Sequence, residues 1–230
     1  MKISTIYLLP ILASILLLGA CNKESDRFAN GDQMVSFGVV GKYINSADSS
    51  YIIHLDNGDQ LIPVATIPLG IELSSGQRVQ VTFSPYEEKI SDVNQKTFYG
   101  RIDGIRDILF KNIIRLTATN NDSIGNDPVA IRESWVSGDS ILTVNFSYFT
   151  NGSVHAINLV KNAGGNGTDH PYVFEFRHNA GGDHQNYRSP GIISFNLTPY
   201  KLIGQHQTDF ILRYTDYDGK NTDLPLSINY

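Results

Sequence analysis

The sequence predicts an all-β chain folded as two units, a small barrel followed by a two-sheet sandwich. Three observations carry this. From Met34 onward the apolar runs are short, rich in β-branched and aromatic residues, and bounded by Gly, Asn, Asp or Pro. Several alternate strictly: Val79, Val81 and Phe83 share one parity in "RVQVTF", and Leu142, Val144, Phe146 and Tyr148 share one parity against Thr143, Asn145 and Ser147. No stretch beyond the leader repeats apolar residues at spacings of three and four over a helical length.

The leader comes first. Lys2 precedes an apolar run from Ile3 to Leu18 that contains Pro10 and stops short of the ~20 residues needed to cross a bilayer, so residues 1–20 read as a signal peptide. The run ends in Leu18-Gly19-Ala20-Cys21, which resembles the bacterial lipobox. That resemblance implies cleavage before Cys21 and a covalent lipid on its thiol, with each acyl methylene worth ~0.8 kcal/mol of membrane binding. Cys21 is the only cysteine, so folding in an oxidising envelope rests on packing without a disulfide. Residues 21–33 are polar and aperiodic and read as a flexible tether. Without the leader, whose one charged residue is Lys2, the formal charge moves from −5 to −6. A mildly acidic chain lacking basic clusters speaks against nucleic-acid partners.

Residues 34–118 carry the barrel. Strands are expected at Met34 to Ile44, Ser50 to Leu55, Gln60 to Val64, Arg78 to Ser84 and Thr97 to Ile105, with Asn57-Gly58 supplying a tight turn. Five strands without a helix suit a small barrel with closed edges. "ILFKNIIRL", after Asp107, reads as a sixth strand or as a lead into the second unit. The longest polar interruption, Thr117 to Pro128, marks the boundary. Beyond it, residues 125–230 give seven strands starting near Val129, Ile141, Val154, Tyr172, Gly191, Asp209 and Leu224, with turns at Gly138-Asp139 and Asp218-Gly219. Seven short alternating strands describe an immunoglobulin-like β-sandwich. Trp135, at a strand end, is expected in its core.

The lipobox "LGAC", the segment "LSSGQRVQVTF" leading to "FYGRIDGI", and then "ESWVSGDSILTVNFSY", "VHAINLV" and "FEFRHNAGGD" in that order resemble the NigD-like family of Bacteroidetes lipoproteins. The resemblance spans the whole mature chain. It implies an N-terminal OB-type barrel, a C-terminal sandwich, a place in the cell envelope and a link to bacteriocin immunity, and it brings no catalytic residues. Two "DSI" triplets are similar to the O-glycosylation sequence of Bacteroidetes, which implies Ser123 and Ser140 as acceptors, Ser123 being in the more exposed segment.

One cluster invites a chemical reading. His178 shares parity with Phe174 and Phe176, and His155 with Ile157 and Leu159, so both rings are expected to face the inner side of the sandwich near its rim. Two readings stand. In the first, each ring is satisfied by a carbonyl or hydroxyl, Gly181-Gly182 makes a turn and Asp183 caps the loop. In the second, His155, His178 and either Asp183 or His184 supply donors for Zn²⁺, which requires three or four groups converging at ~2.0 to 2.2 Å.

Other enzyme signatures are missing from the sequence: there is no G-x-S-x-G, H-E-x-x-H or P-loop, and the neighbours Glu87 and Glu88, on a strand or loop, are expected to point apart into solvent. The function expected is therefore non-enzymatic: a lipid-anchored binding module on the envelope, on the outer membrane with either face open. Its partner is an unidentified protein or a glycan, and no cofactor is expected besides the lipid on Cys21. A metal-dependent hydrolase around His155 and His178 is the rival reading.

Overall fold

The computed structural model describes residues 32–44, 49–64, 73–92, 95–138, 140–162 and 172–229. The expected signal peptide, Cys21 and all of the tether but residues 32 and 33 lie outside them.

Strands β1 (Met34–Ile44), β2 (Ser49–Leu55), β3 (Gln60–Pro63), β4 (Arg78–Asp92) and β5 (Gln95–Asp107) close into a barrel in the order β1-β2-β3-β5-β4. Closure is made by β1 against β4, where Met34 lies opposite Phe83. The β3–β5 ladder is parallel and the others are antiparallel. Gly58 in the β2–β3 turn has φ 90°, a conformation that asparagine followed by glycine supplies at low cost. Asp59 fastens this turn to β5: its carboxylate accepts the Asn57 side-chain amide at 2.7 Å and the Lys96 backbone N–H at 2.9 Å.

The alternation seen in sequence fills the barrel with Val79, Val81 and Phe83 from β4, joined by Val40, Ile53, Leu55, Leu61, Leu73, Phe98 and Ile102. β4 runs on to Asp92, past the Ser84 end expected from sequence. Pro85 reads as a terminator because it has no N–H for a ladder. Here it sits at one of three register shifts between β4 and β5, where a bulge tolerates the missing donor.

Among the described residues the sandwich has nine strands, the seven expected from residue 125 onward and two that precede them. β6 (Phe110–Asn112) and β7 (Ile114–Leu116) come from "ILFKNIIRL". They are followed by β8 (Ala130–Ser137), β9 (Ile141–Thr150), β10 (Ala156–Asn162), β11 (Tyr172–Asn179), β12 (Tyr187–Asn196), β13 (Gln207–Thr215) and β14 (Asn221–Asn229). One sheet has the order β14-β13-β11-β10-β7 and the other β6-β12-β9-β8. The chain therefore changes sheets across the single residue Ile113. "ILFKNIIRL" thus leads into the sandwich ahead of the Thr117 to Pro128 segment, since β6 and β7 pair in parallel with β12 and β10 rather than with the barrel. A β11–β13 ladder is parallel as well.

The inner faces of both sheets bury Leu142, Val144, Phe146, Leu159, Phe174, Phe176, Phe195, Phe210 and Leu212. Their rings meet edge to face, as Phe146 with Phe176 at 5.0 Å and Phe174 with Phe210 at 5.4 Å, a geometry the aromatic quadrupole favours. One short helix, α1 (Asn121–Ile124), interrupts the polar boundary segment and lays Ile124 on Leu116 and Val160. A single turn carries no periodicity, so the sequence concealed it.

Candidate functional site

The alternation of β11 decides the position of His178. Its burial pattern places Tyr172, Phe174, Phe176 and His178 inside, and His178 is 2% exposed. Across the ladder it lies opposite Ile157. His155 stands just before β10, and β11 ends in a turn in which Gly181 and Gly182 have φ 61° and 79° and the Asp183 N–H bonds to the Ala180 carbonyl at 3.0 Å. This is the turn expected from sequence, and it delivers Asp183 to the two rings.

Asp183 organises the connection between β9 and β10. One carboxylate oxygen accepts the Asn151 N–H at 2.7 Å, the Thr150 hydroxyl at 2.8 Å, His155 Nε2 at 3.1 Å and the Ser153 N–H at 3.3 Å. The other accepts the Ser153 hydroxyl at 3.0 Å and the His184 N–H at 2.9 Å. The Asn151 backbone donor first, then the Thr150, His155 and Ser153 side chains, hold this carboxyl well below the usual carboxylate range against the opposing effect of burial.

The rings continue the chain. His155 Nδ1 is 2.7 Å from His178 Nε2, and His178 Nδ1 is 3.3 Å from the Pro128 carbonyl. The rings are stacked with centroids 4.9 Å apart, and Tyr148 lies 4.9 Å from one and 5.3 Å from the other. Burial, and next the neighbouring His155, hold the His178 imidazole below the ordinary histidine range, which favours its neutral form.

Of the four candidate metal donors, three come together. His155, His178 and Asp183 meet, but as a linear relay in which the nitrogens that would bind an ion face each other. His184 takes part through its backbone alone and its ring is exposed. Among the described residues no group of three or more His, Cys, Asp or Glu is placed to hold a metal ion. Glu87 and Glu88 are each ion-paired with a lysine, at 3.4 Å to Lys89 and 3.1 Å to Lys96, and do not form a carboxylate pair.

Ser123 is exposed on α1 with its hydroxyl donating to the Asn120 carbonyl at 2.9 Å. Ser140 is the opposite: it is wholly buried with φ 63°, so in the folded protein its hydroxyl offers no surface to a glycosyltransferase.

A second constellation, missed by sequence, joins the two units. Arg78, on the outer parity of β4, has a side chain with no exposed surface. Its guanidinium grips Asp56 with two nitrogens, donates to the Thr143 hydroxyl at 2.9 Å and donates through Nε to Ser194 at 3.2 Å. Thr143 and Ser194 bond each other at 2.9 Å. Trp135, expected in the sandwich core, stands here instead: its indole N–H donates to Asp56 at 2.9 Å and its ring lies 5.1 Å from Phe37. Beside this junction is a cleft of about 150 Å³ lined by His54, Asp56, Ser137 and Ile141 among others. The polar parities of "RVQVTF" and "LTVNFSY" were visible in sequence, but nothing there says that the two outer faces meet.

The sandwich region, residues 112–228, matches the family model of the NigD-like C-terminal beta sandwich domain. Among solved structures, a protein from Parabacteroides distasonis described as toxin-related is 28% identical, with 86% of this chain and 94% of that chain covered and a TM-score of 0.70. A protein of unknown function from Bacteroides vulgatus is 26% identical, covering 86% and 91%, also with a TM-score of 0.70. A NigD-like immunity protein from Bacteroides caccae shares the fold at 17% identity, 86% and 93% coverage and a TM-score of 0.56. A search of curated protein sequences finds no match.

Proposed function

Because the chain belongs to the NigD-like family, we propose that it is a lipid-anchored cell-envelope protein that acts by binding a partner rather than by catalysis, with immunity to an incoming toxin as its purpose. The observation that carries this reading is the junction. A buried guanidinium shared by Asp56, Thr143 and Ser194 ties barrel to sandwich and restricts their relative motion. A rigid surface lowers the ordering cost of association.

The descriptions of the Bacteroides caccae and Parabacteroides distasonis proteins support the immunity form. The side chains that most resembled chemistry, His155, His178 and Asp183, are turned on one another and hold two connections together. The lipobox ending in Cys21 supports the anchor. Deleting the gene is expected to sensitise the bacterium to a toxin-producing neighbour, with resistance restored by the wild-type gene and not by Cys21→Ala. Unchanged sensitivity across a panel of producers removes the immunity form. A pull-down from envelope extract that recovers no specific partner removes the binding reading.

A further inference from the structure

Asp183, His155, His178 and the Pro128 carbonyl are joined by three contacts in series, at 3.1, 2.7 and 3.3 Å. A carboxylate and a carbonyl only accept, and a neutral imidazole offers one N–H and one bare nitrogen. Each of the three contacts therefore needs one proton between its heavy atoms. Two neutral rings bring two. In that state one contact must set lone pair against lone pair, and the cheapest choice is a bare His178 Nδ1 facing the Pro128 oxygen.

We infer that the relay instead holds a third proton and acts as a pH-sensitive latch on the sandwich rim: His155 is an imidazolium that donates from Nε2 to Asp183 and from Nδ1 to His178, and neutral His178 donates from Nδ1 to Pro128.

Every group facing the pair fits this arrangement. The Asp183 carboxylate provides the counter-charge from the β11–β12 turn. Tyr148 on β9 presents its ring to both imidazoles, and a cation is attracted to such a face. Asp127, ahead of β8, lies near His178 and accepts the Ala180 N–H at 2.6 Å, adding a second negative charge from the other side. His184 turns its ring to solvent, and the Tyr187 hydroxyl approaches Gly152 in the β9–β10 connection. The site is closed to water, with the His155 and Asp183 side chains 2% and 4% exposed.

The latch ties three segments: the lead into β8 through Pro128, the β9–β10 connection through His155, and the β11–β12 turn through Asp183. Withdrawing the third proton at high pH opens one contact. Adding a fourth, on His178 at low pH, sets N–H against N–H between the rings and opens another.

The test is long-range ¹H–¹⁵N correlation on the full-length protein carrying ¹⁵N-labelled histidine, with His155 and His178 assigned by single replacements among the six histidines. Near neutral pH, His155 should show two protonated nitrogens and His178 a protonated Nδ1 with a bare Nε2. Two neutral rings, each protonated at Nε2 only, would overturn the proposal. On raising the pH, loss of the imidazolium pattern should coincide with faster amide exchange at Asn151 and Ser153, after correction for the intrinsic rate. Proton loss with those amides unmoved would overturn the latch. In Asp183→Asn the imidazolium pattern should vanish near neutral pH, and its persistence would also overturn the assignment.

Discussion

Arg78 Nη2 and Thr143 Oγ1 are 2.9 Å apart, although the first belongs to the barrel and the second to the sandwich. Each residue stands on the polar parity of its own strand. The two units thus meet through faces that alternation marks as wet, and the water those faces would hold is replaced by a guanidinium and its acceptors. Removing one member of a buried ion pair leaves an uncompensated charge, at a cost of about 3 to 5 kcal/mol. Arg78→Ala is therefore expected to lower the unfolding free energy by that much, read as a lower urea midpoint, and to split unfolding into two transitions, one for each unit. A single transition at the wild-type midpoint would show that the junction contributes nothing to stability. Asp56→Ala should act on the same unit, so the double variant should fall well short of the sum.

Trp135 is the only tryptophan, and its indole N–H donates to Asp56 at the junction. Trp135→Phe keeps the ring beside Phe37 and removes the donor, which should cost about 1.5 to 3 kcal/mol as a hydrogen bond to a charged group. In the wild type the tryptophan emission should shift with separation of the two units. If it shifts only with loss of the sandwich core, monitored by near-ultraviolet circular dichroism of the tyrosines, the junction does not open first.

The pH dependence follows from two depressed groups. His178 is held below its ordinary ~6.5, so between the two values the unfolded chain binds the proton and the folded one does not; stability is whole above that ordinary value and falls as pH drops through it. Asp183 has the same sign lower down: its contribution is whole above the ordinary ~3.9 and is lost as pH falls below it. Urea midpoints measured from neutral pH downward should therefore decline in two stages. Asp183→Asn should lower stability near neutral pH and shrink the lower stage. It should not abolish that stage, because Asp103, Asp209, Asp216 and Asp223 are depressed as well.

Ser140 combines two costs in one residue. It is a non-glycine at φ 63°, and its buried hydroxyl has no hydrogen-bond partner. Its backbone groups are satisfied, by Ser137 at 2.9 Å and Leu197 at 2.8 Å, and would remain so after substitution. Ser140→Gly is expected to stabilise the protein by about 1 kcal/mol, since it relieves left-handed strain and removes an orphaned polar group. A lower melting temperature would contradict this.

Gly191 lies opposite Phe146 between β12 and β9, and the ring rests on the space a side chain would occupy. A Cβ at Gly191 would come within 2.5 Å of Phe146 Cζ. Gly191→Ala should cost about 1 to 3 kcal/mol by overpacking, read as a shifted urea midpoint with the fold intact.

The strands were legible because period-two alternation depends only on local chemistry: Val79, Val81 and Phe83 point inward wherever β4 sits. The turn at Gly181-Gly182 and the inward rings of His155 and His178 were legible for the same reason. What sequence left open was which groups those rings would meet. Asp183 reaches them because Asn151 and Ser153 fold back onto its carboxylate, an arrangement set by backbone donors that every sequence has. The split of "ILFKNIIRL" was hidden too, since a sheet change across Ile113 leaves no mark on the run of apolar residues. Arg78 is the clearest case: its burial is a property of two surfaces, and a strand pattern describes only one.

That sheet change also governs the order of assembly. β6 and β7 are the first sandwich strands to emerge, yet Phe110 must wait for Ser194 and Ile114 for Val160. Partners so distant in the chain make loop closure the obstacle, and topologies of this kind fold in milliseconds to seconds rather than microseconds. Until those partners arrive the two short strands stand as unpaired edges, with backbone donors and acceptors open to any other strand.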